Sequence, residues 1–448
     1  MKKVLIITYY WPPSGGSGVQ RWLKFAKYLP QYGWEPVIYT PLNPQANSVD
    51  NALLKDVSPD TTVIKRKILE PYGLYKVLTG KKGNTPIKAN IASAENKKSL
   101  LQRLSLAIRG NLFIPDPRIL WVRPSVKFLK RYLKDHPVDA IVSTGPPHSM
   151  HLIAKKVSRS MNIPWIADFR DPWTGIFYFK HLGLGKYATK RHLALEQSIL
   201  DSANRIVVVS EQMKRDFECR TKRPVEVITN GFDPDDFVLP DTTANLHAGD
   251  GQNRTGKFTL VHTGLLVDDG NPDMLWKVLG EKAAADPVFR ENLEIRVMGQ
   301  TDRTIIEAIS LNNLSSNFVN MGYVAHNTAT MWQQRGSLLL LPLRKEPEAA
   351  AILTGKFFEY LAAGRPILAF GPTDGDLAKA LKETQSGTIC NWQEKEAIET
   401  AINIAYNNFL KGEEYCEGNK ILSGAALKYS RKELTGKLSV LMNNIKTV

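Results

Sequence analysis

Short runs of β-branched and other apolar residues recur along this chain, each followed by a stretch of helical periodicity, and that alternation leaves few folds open. A first series covers Lys3–Thr8, Glu35–Thr40, Thr61–Lys65, Asp139–Ser143, Trp165–Asp168 and Arg205–Val209. A second covers Val225–Ile228, Phe258–His262, Leu293–Met298, Asn317–Met321, Leu338–Leu341 and Ile367–Phe370. Runs apolar on both faces need cover from both sides, which parallel strands receive from their crossover helices. The expectation is an α/β protein with two doubly wound parallel sheets. At 448 residues the chain is long enough for two cores, each of roughly 200 residues. The turn-rich Asn230-Gly231-Phe232-Asp233-Pro234 marks the junction and divides residues 1–230 from 231–424. Residues 41–120 interrupt the first domain at a length that no ordinary connection needs.

Charge is unevenly placed along the chain. The formal net charge is +15, and the basic excess lies wholly within residues 1–230, whereas residues 231–448 are slightly acidic. Such a field attracts phosphates, nucleic acid or an anionic membrane surface, or is a solvated face with no partner. Inside the interruption, Leu100, Leu101, Leu104, Ile108 and Phe113 recur at helical spacing among Lys97, Lys98, Arg103 and Arg109. That pattern suits either a helix lying on a membrane interface or one packing its apolar stripe on its own domain. No apolar run reaches the ~18 residues of a bilayer-spanning helix. The opening Met1-Lys2-Lys3 and Val4–Thr8 lead into Tyr9-Tyr10-Trp11-Pro12-Pro13 with no cleavage-like pattern, so they read as a first buried strand. Cys219, Cys390 and Cys416 have neither disulfide-framework nor metal-ligand spacing, which fits a reducing compartment.

Two loops carry chemistry. Thr354-Gly355-Lys356-Phe357-Phe358-Glu359-Tyr360-Leu361-Ala362-Ala363-Gly364 lies between apolar runs and reads as a loop, a short helix and a glycine turn. Backbone N–H groups at Thr354, Gly355 and Lys356 open that helix toward an anion, assisted by its dipole and the lysine ammonium. Glu359 follows one turn later, where a carboxylate accepts from ribose hydroxyls. After the first strand, Ser14-Gly15-Gly16-Ser17-Gly18 precedes a helical pattern through Trp22, Phe25, Ala26 and Leu29. Gly15 and Gly16 leave the backbone free to approach a ligand. A dinucleotide fold needs G-x-G-x-x-G here and an acidic residue ending the second strand, which instead ends Ile38-Tyr39-Thr40-Pro41. NAD binding therefore loses most of its support.

Together with Tyr32-Gly33-Trp34-Glu35, Val207-Val208-Val209-Ser210, the Val227–Asp233 junction and Lys356–Pro366, these segments resemble the GT-B glycosyltransferases, specifically the retaining family 4 (group 1) type. The resemblance spans nearly the whole chain. It implies two Rossmann-like domains facing a cleft, with the acceptor on the N-terminal domain and a nucleotide-diphosphate sugar on the C-terminal one. A last helix within residues 425–448 would return to the first domain. It also implies retention at the anomeric carbon and no metal or other cofactor, the leaving diphosphate acting near the incoming hydroxyl. Lys356 and Glu359 take the diphosphate and ribose, in a K-x-x-E-Y-x-A-x-G pattern. Gly264, in His262-Thr263-Gly264-Leu265-Leu266, ends the first donor-domain strand. Tyr323 and Val324, after Gly322, stand where the family holds the base, or form a simple turn. Many relatives have a glutamate at the place of Ala351, with Glu348 three residues early here, and the usual Arg and Lys after Gly264 are missing. Arg344 and Lys345 are either substitute cations or solvated strand-end charges.

On the first domain, Asp168-Phe169-Arg170-Asp171 puts two carboxylates around an arginine at a strand end. Asp168 or Asp171 orients an acceptor or donor-sugar hydroxyl, or the aspartates pair internally with arginine. His148 and His151, in Gly145-Pro146-Pro147-His148-Ser149-Met150-His151, start a helix; His148 serves the acceptor, or is a capping or core histidine. The resulting expectation is a hexosyl-type transferase acting on a glycan or lipid-linked acceptor in cell-surface polysaccharide or lipopolysaccharide synthesis. It is expected to be cytoplasmic and peripheral on the inner face of the plasma membrane, with no nucleic-acid partner. The alternatives are a GT-B sugar-nucleotide epimerase and a basic membrane- or nucleic-acid-binding protein.

Overall fold

Alternate residues of each central strand feed two different cores, which is the signature of a sheet covered on both faces. In β1 (Lys2–Ile7), Leu5 and Ile7 enter one core, while Val4 and Ile6 enter the other. The computed structural model of the protein describes residues 1–45, 49–69, 110–237, 256–412 and 424–445. These form two units, residues 1–230 with 431–448 and residues 231–430.

In the first unit, β1 is joined by β2 (Trp34–Pro41), β3 (Thr62–Arg66), β4 (Ala140–Gly145), β5 (Trp165–Phe169), β6 (Arg205–Val208) and β7 (Val225–Val227). The order is β3-β2-β1-β4-β5-β6-β7, all parallel, with Val4 to Ile7 in register with Ala140 to Ser143. One face is covered by α1 (Ser17–Tyr28), through Trp22 and Phe25. The other is covered by α2 (Ile119–Asp135), α3 (Ser149–Met161), α4 (Lys186–Leu200) and α5 (Glu211–Glu218). α3 buries Met150, Ile153, Ala154 and Val157, the i, i+3, i+4, i+7 stripe that a helix lying on a sheet requires.

The second unit holds β8 (Phe258–Thr263), β9 (Leu293–Met298), β10 (Phe318–Asn320), β11 (Leu338–Pro342), β12 (Ile367–Phe370) and β13 (Gly387–Cys390). Their order is β10-β9-β8-β11-β12-β13, again all parallel. The connecting helices are α6 (Asp273–Ala285), α7 (Pro287–Asn292), α8 (Arg303–Leu311), α9 (His326–Arg335), α10 (Gly355–Ala363), α11 (Asp376–Thr384) and α12 (Lys395–Lys411). The terminal α13 (Arg431–Asn443) belongs to the first unit, where Leu434 and Leu438 join the core of Trp22 and Phe25.

Both sheets are thus the doubly wound parallel sheets that the alternation requires, with two corrections. Val225–Ile228, grouped with the second series, is the seventh strand of the first sheet: a short crossover through α5 lays it beside β6. β13 escaped notice because Gly387-Thr388-Ile389-Cys390 has no apolar run, yet it pairs with β12 along its length. Of the long interruption, β3 and the start of α2 are described, whereas the basic amphipathic stretch from Lys97 to Arg109 lies outside the described residues.

Each sheet reverses its winding once, between β1 and β4 in the first and between β8 and β11 in the second. Crevices at the carboxyl ends of strands beside such reversals are where open α/β sheets bind ligands.

Candidate functional site

The second reversal gathers the candidate donor residues. Thr354 caps α10, its hydroxyl accepting from the Phe357 N–H at 3.3 Å, and Gly364, at φ 71°, ends the helix. The first turn of α10 therefore presents Gly355 and Lys356, as an anion-facing helix start demands. Lys356 does not reach into open solvent. Its Nζ donates to the Leu265 carbonyl at 3.1 Å and lies 3.3 Å from His262 Nε2. The stem passes over Gly264, where a Cβ would stand 2.7 Å from Lys356 Cε, and Gly264 holds φ 102°. Any side chain there would displace the lysine. A second glycine makes this turn possible: a Cβ on Gly299, at the end of β9, would fall 2.1 Å from the Gly264 carbonyl oxygen.

Burial brings the Lys356 pKa down to about 8, with Glu359 opposing the shift and Arg344 adding to it. Glu359 is half-buried and its carboxyl is raised, again chiefly by desolvation, against His326, a hydrogen bond from Gln333 and the lysine charge. Gln333 Nε2 bridges Glu359 at 3.3 Å and the Thr263 hydroxyl at 2.8 Å, fixing the carboxylate to the end of β8. Arg344 and Lys345 pair with Asp269 and Asp273 at 2.8 and 3.1 Å, so neither is a loose strand-end charge. After β10, Tyr323 is 93% exposed, and Val324 packs at the edge of the apolar cluster around Phe357 and Phe358.

At the first reversal the charges are used internally. Asp168 is fully buried, and Arg21 grips it with Nη2 at 2.8 Å and Nε at 3.2 Å from both oxygens. Trp22 Nε1 and the Thr144 hydroxyl also donate to it, at 2.7 and 2.8 Å. Burial opposes ionisation, but the Arg21 charge and these hydrogen bonds outweigh it and lower the Asp168 pKa. Arg21 extends the latch to the Ile228 and Thr229 carbonyls. Asp168 has no surface left for a substrate, which corrects the expectation that it orients a hydroxyl. An internal aspartate–arginine pair does exist, but its arginine is Arg21 on α1. Arg170 instead donates to the Gly18 and Pro146 carbonyls, tying the first turn of α1 to the loop after β4.

Asp171 is the open carboxylate of the two. It is exposed and makes no hydrogen bond among the described residues; desolvation by the surrounding protein raises its pKa, opposed by the Arg170 charge. The backbone just beyond is pinned by Glu196, which accepts from the Trp173 and Thr174 N–H groups and pairs with Arg220 at 2.7 Å. Trp173 stacks on the His148 ring with centroids 4.6 Å apart and planes 3° off parallel. His148 begins α3 without capping it through its side chain. His151 Nδ1 meets the Ser143 hydroxyl at 2.8 Å, leaving its Nε2 and the His148 Nδ1 buried without partners among the described residues. Burial holds both imidazoles neutral, His151 with a pKa of about 3. Gly15 precedes and Gly16 caps α1, Gly16 at φ 96° with open space where its Cβ would lie.

Arg21, Trp22, His262, Gly299 and Gln333 were not foreseen. Only His262 left a sequence signal, a titratable residue inside the strand run Phe258–Thr263.

Residues 89–236 match the sequence profile of the family described as Glycosyltransferase Family 4, about a third of the chain. No curated protein matches the sequence. Among solved structures, a glycosyltransferase from Rickettsia africae ESF-5 superposes with TM-score 0.60 at 13% identity, covering 99% of this chain and 98% of that one. HepE of Anabaena, solved in complex with UDP, gives 0.61 at 13% identity over 99% and 100%. WaaG, a glycosyltransferase involved in lipopolysaccharide biosynthesis, gives 0.55 at 14% identity over 98% and 100%. At such identities the superpositions establish the fold, which is GT-B.

Proposed function

We propose that this chain, whose fold is GT-B, is a glycosyltransferase that transfers a hexosyl-type sugar from a nucleotide-diphosphate sugar, with retention and without metal. The donor sits on the second unit. The acceptor, a glycan or lipid-linked glycan of cell-surface polysaccharide or lipopolysaccharide synthesis, sits on the first. One observation carries this reading: Lys356 is placed at the N-terminus of α10 and the end of β8, beside the sheet reversal. As the bond from the anomeric carbon to the diphosphate oxygen breaks, negative charge grows on that oxygen. A lysine and oriented N–H groups stabilise such charge best where water is scarce. The acceptor oxygen forms the new bond to the same carbon, and its proton passes to the departing diphosphate. Glu359 accepts from the ribose hydroxyls, Tyr323 and Val324 receive the base, and Asp171 with His148 orients the acceptor. The complexes of relatives support the donor class, since HepE was solved with UDP.

A peripheral position on the inner face of an anionic membrane is part of the same proposal. Arg123, Lys127, Lys130 and Lys134 are exposed along α2 at i, i+4, i+7 and i+11. The first three line an open groove with Lys156 of α3. Among the described residues no helix is long and apolar enough to cross a membrane. Sedimentation with anionic vesicles, but not with neutral ones, checks the membrane step.

The donor is tested by thermal shift against UDP-, GDP- and other nucleotide sugars, because a ligand bound only by the folded state raises its stability with affinity. A shift from one class supports the proposal. No shift from any nucleotide sugar contradicts it, and donor turnover to an epimer without acceptor favours an epimerase.

A further inference from the structure

His262 is the one titratable residue of β8, a strand buried along its whole length, and it is 1% exposed. A buried imidazole nitrogen left without a partner is costly, so the contacts of both ring nitrogens carry information. Nδ1 lies 2.9 Å from the Leu340 carbonyl oxygen on the neighbouring β11. A carbonyl only accepts, so Nδ1 carries the proton and Nε2 presents a lone pair. That lone pair faces the Lys356 ammonium at 3.3 Å. The sheet hydrogen bond thus fixes the tautomer, and the tautomer makes the ring an acceptor for the lysine. Burial and the neighbouring lysine charge outweigh the Leu340 and Leu265 carbonyls and keep the imidazole neutral, with a pKa of about 3, so the lone pair persists at neutral pH. Lys356 also feels Glu359 on its own helix and Arg344 beyond β11, but the acceptors in contact with its ammonium are His262 and the Leu265 carbonyl.

We infer that His262 is a positioning residue for Lys356, holding its ammonium over Gly264 so that a donor diphosphate meets a lysine already in place. When the donor binds, a phosphate oxygen replaces the Leu265 carbonyl as acceptor while the imidazole contact is kept. A long flexible lysine otherwise loses side-chain freedom on binding, at a cost of up to about 2 kcal/mol. The assignment of a diphosphate rests on the donor proposed for this site; the placement of the lysine does not.

The test compares His262→Leu with His262→Gln in the full chain. Glutamine keeps a donor for Leu340 and an acceptor for Lys356, whereas leucine keeps neither. Without any ligand, acetylation of Lys356 by acetic anhydride, read by peptide mass spectrometry, should rise about threefold or more in His262→Leu relative to exposed lysines, because the ammonium loses an acceptor. His262→Gln should stay within about twofold of wild type. With the nucleotide sugar, Kd and KM should rise about tenfold in His262→Leu, with kcat changing less, and His262→Gln should restore them. Lys356 acetylation equal in His262→Leu and wild type overturns the inference. If His262→Leu does not fold, long-range ¹H–¹⁵N spectra of wild type decide, since a proton found on Nε2 overturns it. The expected acetylation pattern without nucleotide-sugar binding by wild type leaves the positioning intact and removes the donor proposal instead.

Discussion

The two sheets end their reversals in opposite ways. At β1 and β4 of the first unit, charge meets charge: Arg21 and Asp168 are both buried and matched, and Arg170 has the carboxylates of Asp171 and Asp168 as nearby countercharges. At β8 and β11 of the second, Lys356 is held by neutral acceptors, a carbonyl and an imidazole. A charge matched by a buried countercharge has little left for a ligand; one matched by dipoles keeps its net charge for an incoming anion. The same topology therefore yields a latch on one sheet and a candidate anion site on the other, and substitutions should separate the two.

The largest effect is expected at the latch. Asp168→Asn leaves Arg21 buried without its partner and should cost about 3–5 kcal/mol in denaturant unfolding. A loss below about 1 kcal/mol would erase the contrast. Acid should act next. His151 and His262, one in each unit, have folded pKa values near 3 against 6.5 in the unfolded chain. Below pH 6.5 the unfolded state binds protons that the folded state refuses, so stability falls with pH by up to about 1.4 kcal/mol per unit for each ring. Asp168 contributes in a lower window, because its depressed pKa gives stability that is lost only as pH falls through the folded value. Melting followed from pH 7 to pH 4 should show the earlier loss, and a flat profile to pH 5 would contradict it.

Asp171→Asn sharpens the comparison from the other side. Stability should move by less than about 0.5 kcal/mol, since the carboxylate is exposed, whereas turnover should fall. Unchanged turnover with purified protein removes Asp171 from the site. Smallest of all is the response to chelation: EDTA should leave transfer unchanged, and restoration by a divalent cation after its loss would break the metal-free scheme.

Both sheets were legible because buried parallel strands must be apolar on both faces, and that shows in runs such as Val4–Ile7 and Leu338–Leu341. β13 was hidden because an edge strand such as Gly387–Cys390 needs no such run. At the site, Thr354, Gly355 and Lys356 were legible from local chemistry, a cap followed by a helix start. The Asp168 latch was not, since its partners stand 147, 146 and 24 residues away in sequence. Aspartate beside Arg170 suggested a local pair, and only the fold brings Arg21 closer. His262 was visible as an oddity in its strand, but its role depends on contacts with Leu340 and Lys356, 78 and 94 residues on.

The central claim is that Lys356 is the charge available to a donor diphosphate. Calorimetric titration of wild type and Lys356→Ala, with the nucleotide sugar that gives the largest thermal shift, tests it most directly. The expected result is a loss of affinity of more than about tenfold, or at least roughly 1.4 kcal/mol, with the variant melting close to wild type. Equal affinity in the two proteins would contradict the account.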